Sequence, residues 1–104
     1  MYKKNCTVNH PHGLNSRASS VIVRKSTELL RTYNENPIRS VYIHKLIDDE
    51  FDVESKPADP RSIIAVMMLA ANTGAKLAVC TDDSKLEPIV NKLAKFIDEL
   101  VSYQ

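Results

Sequence analysis

Two short stretches hold most of the side chains able to do chemistry. The first runs from residue 10 to residue 17 and contains His10, His12, Asn15, Ser16 and Arg17. An imidazole can take a proton or a phosphoryl group near neutral pH. An arginine offers a planar, bidentate grip on a phosphate. A helix capped by Asn15 or Ser16 adds backbone N–H groups at the same corner. Anion binding is thus provided for, yet the residue at the helix start is a carboxamide. Asn15 has no nucleophilic nitrogen at neutral pH, and its plainest use is as a cap worth about 1 kcal/mol. His12 is the alternative acceptor, if the chain bends at Gly13, whereas His10 lies farther from the corner. The Ser16 hydroxyl lacks an evident base. His10-x-His12, with no cysteine or carboxylate nearby in sequence, falls short of a zinc set, so no metal and no cofactor are expected.

The second stretch is Arg61-Ser62 followed by Ile63-Ile64-Ala65-Val66-Met67-Met68-Leu69. Ser62 is a good N-cap for an apolar helix over 63–71. Such a short helix has more large apolar residues than one buried face needs. Val66, Leu69 and Ala70 are expected to face the core, with Ile63, Ile64 and Met67 left partly outside. An apolar patch beside a charged site marks a protein interface, and methionine suits adaptable contacts. Cys6 and Cys80 are the only cysteines and read as free thiols, Cys6 as a small buried hydrophobe.

The elements that position these residues follow from periodicity. Residues 2–9 alternate as a strand until His10-Pro11-His12-Gly13 breaks them. Ala18, Val21, Ile22, Leu29, Leu30 and Tyr33 fall at helical spacing, predicting a first helix over about 16–33 that Asn34-Glu35-Asn36-Pro37 stops. Ile38–Lys45 and Phe51–Ser55 read as strands around Leu46-Ile47-Asp48-Asp49-Glu50, and Pro57-Ala58-Asp59-Pro60 reads as a loop. Gly74 is the natural stop for the second helix. Lys76–Thr81 is a short strand. Ser84 and Glu87 have capping-box spacing, with Pro88 in the first turn of a last helix that buries Leu86, Ile89, Val90, Leu93, Ile97 and Leu100. The order β-α-β-β-α-β-α predicts an α+β domain with helices on one face of an antiparallel sheet.

With 104 residues, 43% hydrophobic, the chain suits one domain over residues 1–104. A net charge of +1 makes no case for nucleic acid. No apolar run is long enough for a membrane span, and Met1-Tyr2-Lys3-Lys4-Asn5-Cys6 does not resemble a signal peptide, so a cytoplasmic location is expected. Arg17, Arg24, Lys25 and Arg31 make the first helix basic, which suits an acidic protein partner. Asp48, Asp49, Glu50, Asp52 and Glu54 read as a solvated hairpin.

The segments His12-Gly13-Leu14-Asn15-Ser16-Arg17-Ala18 and Arg61–Leu69 together resemble the two signature segments of HPr, the histidine-containing phosphocarrier of the bacterial sugar phosphotransferase system. In that family the first segment reads Gly-(Ile/Leu)-His-Ala-Arg-Pro-Ala, and its histidine carries the phosphoryl group. Arg17 matches the family's arginine. Asn15 replaces the histidine, Ser16 the alanine, and Ala18 the proline. Ser62 matches the serine that an ATP-dependent HPr kinase phosphorylates in many low-GC Gram-positive bacteria, with Ala65 in place of the usual glycine. The resemblance implies an open-faced β-sandwich with strand order 1-4-2-3. It also implies that the two helices meet enzyme I, sugar-specific transporter subunits or transcription regulators, through Ser16, Ile63, Ile64 and Met67. Losing the histidine implies a regulatory or adaptor role rather than an enzymatic one, with Ser62 phosphorylation as its control. The alternative is a working phosphocarrier between enzyme I and the sugar-specific subunits that uses His12. A longer segment between the second strand and Ser62 departs from the family and is expected to form an extended hairpin or loop.

Overall fold

The computed structural model describes residues 1–31 and 41–101. The expected positions of Tyr33, of the helix stop at 34–37 and of Ile38 lie outside those residues. Four strands form, β1 (Tyr2–Thr7), β2 (Tyr42–Ile47), β3 (Glu50–Phe51) and β4 (Lys76–Thr81). Between and after them come α1 (Ser16–Leu30), α2 (Ile63–Met68) and α3 (Glu87–Glu99). The sheet is antiparallel throughout, in the order β1-β4-β2-β3.

Alternation divides the sheet into two faces. Cys6, Ile43, Leu77 and Val79 point toward the helices and join Ile22, Leu93 and Ile97 in the main core. Each fully buried side chain of this size contributes roughly 1.5–3 kcal/mol. The other face carries Leu46, Ala78 and Cys80, flanked by Tyr42 and Phe51. Cys6 and Cys80 are therefore buried free thiols on opposite faces of the sheet, so no disulfide joins them. Burial pushes the Cys6 thiol up to about 12 and the Cys80 thiol up to about 11, which keeps both protonated and unreactive.

Four local expectations are corrected. The third strand is two residues, not five. After Phe51 the Asp52 carboxylate accepts the Glu54 N–H at 3.0 Å, and this turn leaves Val53 94% exposed. The chain then returns, and Ala58 pairs with Ile43. Asp48 and Asp49, at φ of 52° and 65°, close the hairpin between β2 and β3. The second helix ends at Met68, because Ala70 adopts a left-handed φ of 50°. Ala70 is exposed instead of facing the core, and Ala71 is buried in its place. Gly74 shapes the later turn into β4 rather than stopping the helix. Finally, Ser84 makes no capping box. Asp83 accepts the Lys85 N–H at 3.0 Å and starts a 3₁₀ turn, Ser84–Leu86, that leads into α3. All six apolar residues predicted to be buried in or beside α3 are buried.

Candidate functional site

The loop before α1 is strapped to the segment between α2 and β4. The Val8 N–H donates to the Ala75 carbonyl at 2.9 Å, and the Gly74 N–H donates to the Val8 carbonyl at 2.7 Å. The His10 carbonyl accepts the Thr73 hydroxyl at 2.7 Å and the Gly13 N–H at 3.0 Å. Gly13 has a φ of +65°, and a Cβ there would lie 2.6 Å from the Ala71 carbonyl oxygen. Only glycine meets both demands. The next residue, Leu14, donates its N–H to that same carbonyl at 2.9 Å, which fixes where the helix begins.

Asn15 is the N-cap of α1, in extended backbone, and its side-chain oxygen accepts the Ala18 N–H at 2.9 Å. The carboxamide is thus bound to the first turn of the helix. Ser16 and Arg17 follow at the exposed start of α1. On the buried side, Ser19 and Ser26 return their hydroxyls to the Leu14 and Ile22 carbonyls at 3.3 and 2.8 Å. Apolar periodicity alone passes over these serines, whose local hydrogen bonds let small polar residues sit on a packed face.

The two histidines of the loop differ sharply. His10 is buried, and its Nδ1 accepts the His12 N–H at 3.2 Å, which places any proton of the neutral ring on Nε2. Desolvation, and secondarily the charge of His12, lower the His10 pKa. His12 is exposed, with its ring 5.9 Å from that of His10. Among the described residues no group of three or more His, Cys, Asp or Glu side chains could hold a metal ion.

The start of α2 is built differently. Ser62 is the N-cap, with its Oγ accepting the Ala65 N–H at 3.2 Å. Just before it, the Asp59 carboxylate accepts from the Arg61 backbone N–H at 3.0 Å and pairs with the Arg61 guanidinium at 3.4 Å. The Asp59 carbonyl accepts the Ser62 N–H at 3.0 Å. Val66 and Leu69 are buried, while Ile63, Ile64, Met67 and Met68 are exposed, Ile64 by 71% and Met68 by 74%. The patch is larger than expected, since Met68 also lies outside. α2 packs against α1.

Sequence reasoning missed a third cluster, on the sheet face away from the helices. The His44 ring stacks on Phe51 with centroids 4.3 Å apart, and Tyr42 meets His44 edge-on at 6.3 Å. His44 Nδ1 is shielded from solvent without a hydrogen-bond partner, a situation costing about 1–3 kcal/mol. The available signal was Tyr42-x-His44, two residues apart and so on one face of a strand.

An antiparallel sheet in the order 1-4-2-3, with α1, α2 and α3 on one face and no helix on the other among the described residues, is an open-faced β-sandwich. The family model described as "PTS HPr component phosphorylation site" matches residues 2–99. The chain belongs to the HPr family, the phosphocarrier component of the phosphotransferase system, whose members are carriers rather than enzymes and work with the system's other proteins. Solved structures agree in fold. HPr-C-His from Thermoanaerobacter tengcongensis superposes with a TM-score of 0.64 at 15% identity, covering 95% of this chain and 92% of that one. Phosphocarrier protein HPr from Bacillus anthracis str. Ames gives a TM-score of 0.64 at 23% identity, covering 91% and 94%. The histidine-containing phosphocarrier protein of Mycoplasma gives 0.63 at 18% identity, covering 92% and 90%. None of the curated proteins matches the chain. No helix among the described residues is long and apolar enough to cross a membrane.

Proposed function

We propose that this HPr-family protein is a regulator or adaptor whose phosphoryl-acceptor corner is degenerate and whose control point is Ser62. The observation that carries the reading is Asn15. By the sequence resemblance it stands where the family has its acceptor histidine, and its side-chain oxygen is engaged at 2.9 Å in capping α1. A carboxamide supplies no nucleophilic lone pair on nitrogen. Arg17 keeps its place at the same corner and serves binding rather than transfer.

Ser62 adds the regulatory half. Its hydroxyl stands at the surface end of α2, immediately before the exposed Ile63, Ile64 and Met67. A phosphoryl group there adds a nearly double negative charge to the edge of an apolar docking face, which changes partner preference without requiring the core to rearrange. Partners would be enzyme I or the sugar-specific subunits that the family meets, an HPr kinase acting on Ser62, or a transcription regulator reading the result. The test is incubation with ATP and an HPr kinase, followed by peptide mass mapping. A phosphate on Ser62, lost in Ser62→Ala, supports the reading, and an unmodified Ser62 beside a fully modified control HPr contradicts it.

The exposure of His12 favours a second reading, a phosphocarrier with a displaced acceptor. It predicts an acid-labile adduct from phosphoenolpyruvate and enzyme I that His12→Ala abolishes.

A further inference from the structure

The sheet face away from the helices is not bare everywhere. The segment returning from β3 to α2 rises beside it and encloses a cleft of about 640 Å³, within the usual range of small-molecule sites. Tyr42 and His44 of β2 and Phe51 of β3 form its aromatic wall. Asp59, Ser62 and Asp82 supply its polar groups, and none of the lining residues carries a fixed positive charge. We propose that this cleft is a binding site for a small, planar organic cation of the amidinium or guanidinium type.

Three observations specify that chemistry. The wall already attracts a cation, since the chain's own Lys3 ammonium lies 5.2 Å from the Phe51 ring centroid. Aromatic faces bind flat cations by their quadrupole as well as by contact. Around the cleft two carboxylates, Asp59 and Asp82, outnumber the one ammonium at the wall, Lys3. Asp59 is answered by Arg61 at 3.4 Å, whereas Asp82 is exposed and has no ion pair among the described residues. Asp82 is therefore the carboxylate available for a bidentate grip on a planar N–H fork. Lastly, His44 Nδ1 lacks a partner, so no hydrogen bond at that atom holds the imidazole in place. A ligand N–H that reached that nitrogen would satisfy it.

The site goes beyond the regulatory reading and does not depend on whether Asn15 or His12 handles phosphate; because Ser62 lines the cleft, the chain is titrated with Ser62 unmodified. It is tested by titrating the intact chain with benzamidine while the His44 and Tyr42 ring signals are followed by NMR. Benzamide, the uncharged analogue of nearly the same shape, is titrated in parallel. Saturable shifts at both rings with benzamidine are expected, with affinity weaker by roughly fivefold or more for benzamide and for benzamidine with Asp82→Asn, as a cation contact predicts. Asp82→Asn alters an exposed residue and should leave the melting temperature unchanged. The proposal is overturned if benzamidine causes no saturable shift at these rings. Equal binding of benzamide, or an unaltered affinity in Asp82→Asn, overturns it as well.

Discussion

At the start of α1, Asn15 accepts the Ala18 N–H at 2.9 Å, and at the start of α2, Ser62 accepts the Ala65 N–H at 3.2 Å. The two caps do the same local job but head very different helices. α1 has 15 residues and buries Ala18, Ile22 and Leu30 against the core, so its first turn is part of the fold's foundation. α2 has six residues and keeps only Val66 of them fully buried. A cap that is only structural can be a carboxamide. One that must also be modified has to carry a hydroxyl, and the helix behind it has to present a surface a partner can read. On the proposed function, the difference assigns stability to the first corner and regulation to the second.

The strongest way to break this contrast is to disturb the support of the first corner. Gly13→Ala forces a Cβ against the Ala71 carbonyl at a positive φ, and should cost about 3 kcal/mol in urea unfolding. A loss below about 1 kcal/mol would mean that the loop before α1 is not rigidly strapped down. Asn15→Ala should follow at about 1 kcal/mol, the ordinary worth of a cap on a packed helix. Ser62→Ala should cost less, about 0.5 kcal/mol, because α2 is short and largely exposed. If Ser62→Ala proved the more destabilising of the two caps, the division between a structural and a regulatory corner would fail.

A final, smaller effect depends on pH. Burial lowers the His10 pKa, so the folded chain favours the neutral ring more than the unfolded chain does. The unfolded state then binds more protons between the folded pKa and the ordinary histidine value of about 6.5. His10 contributes its full stability above that value, and loses it as pH falls toward the folded pKa. His10→Asn keeps an acceptor for the His12 N–H and should flatten this part of a plot of melting temperature against pH. An unchanged slope would assign the acid sensitivity to other groups.

Much of this molecule was legible in its residues. The element order, the cap at Ser62 and the buried face of α3 follow from periodicity and cap chemistry, the choice of Asn15 over Ser16 as the first cap is made by the structure, and the strand order follows from the HPr resemblance. Failures occurred where a side chain captures backbone locally or the backbone takes a rare angle. Asp52 ends β3 by taking the Glu54 N–H, Ala70 ends α2 at a left-handed φ, and Asp83 displaces Ser84 as the cap before α3. These choices are made by short-range geometry that hydrophobic spacing does not record. The aromatic cleft was invisible for another reason. Tyr42, His44 and Phe51 become one wall only when β2 and β3 pair, and Asp59 and Asp82 join it only through tertiary structure.

The central claim is that Asn15 has turned the acceptor corner into a cap. The most direct measurement is intact mass after incubation with phosphoenolpyruvate and enzyme I, for the natural chain and for Asn15→His side by side. The account predicts no adduct on the natural chain and a single acid-labile phosphoryl group on Asn15→His, held by Arg17 and the first turn of α1. An acid-labile adduct on the natural chain would contradict it.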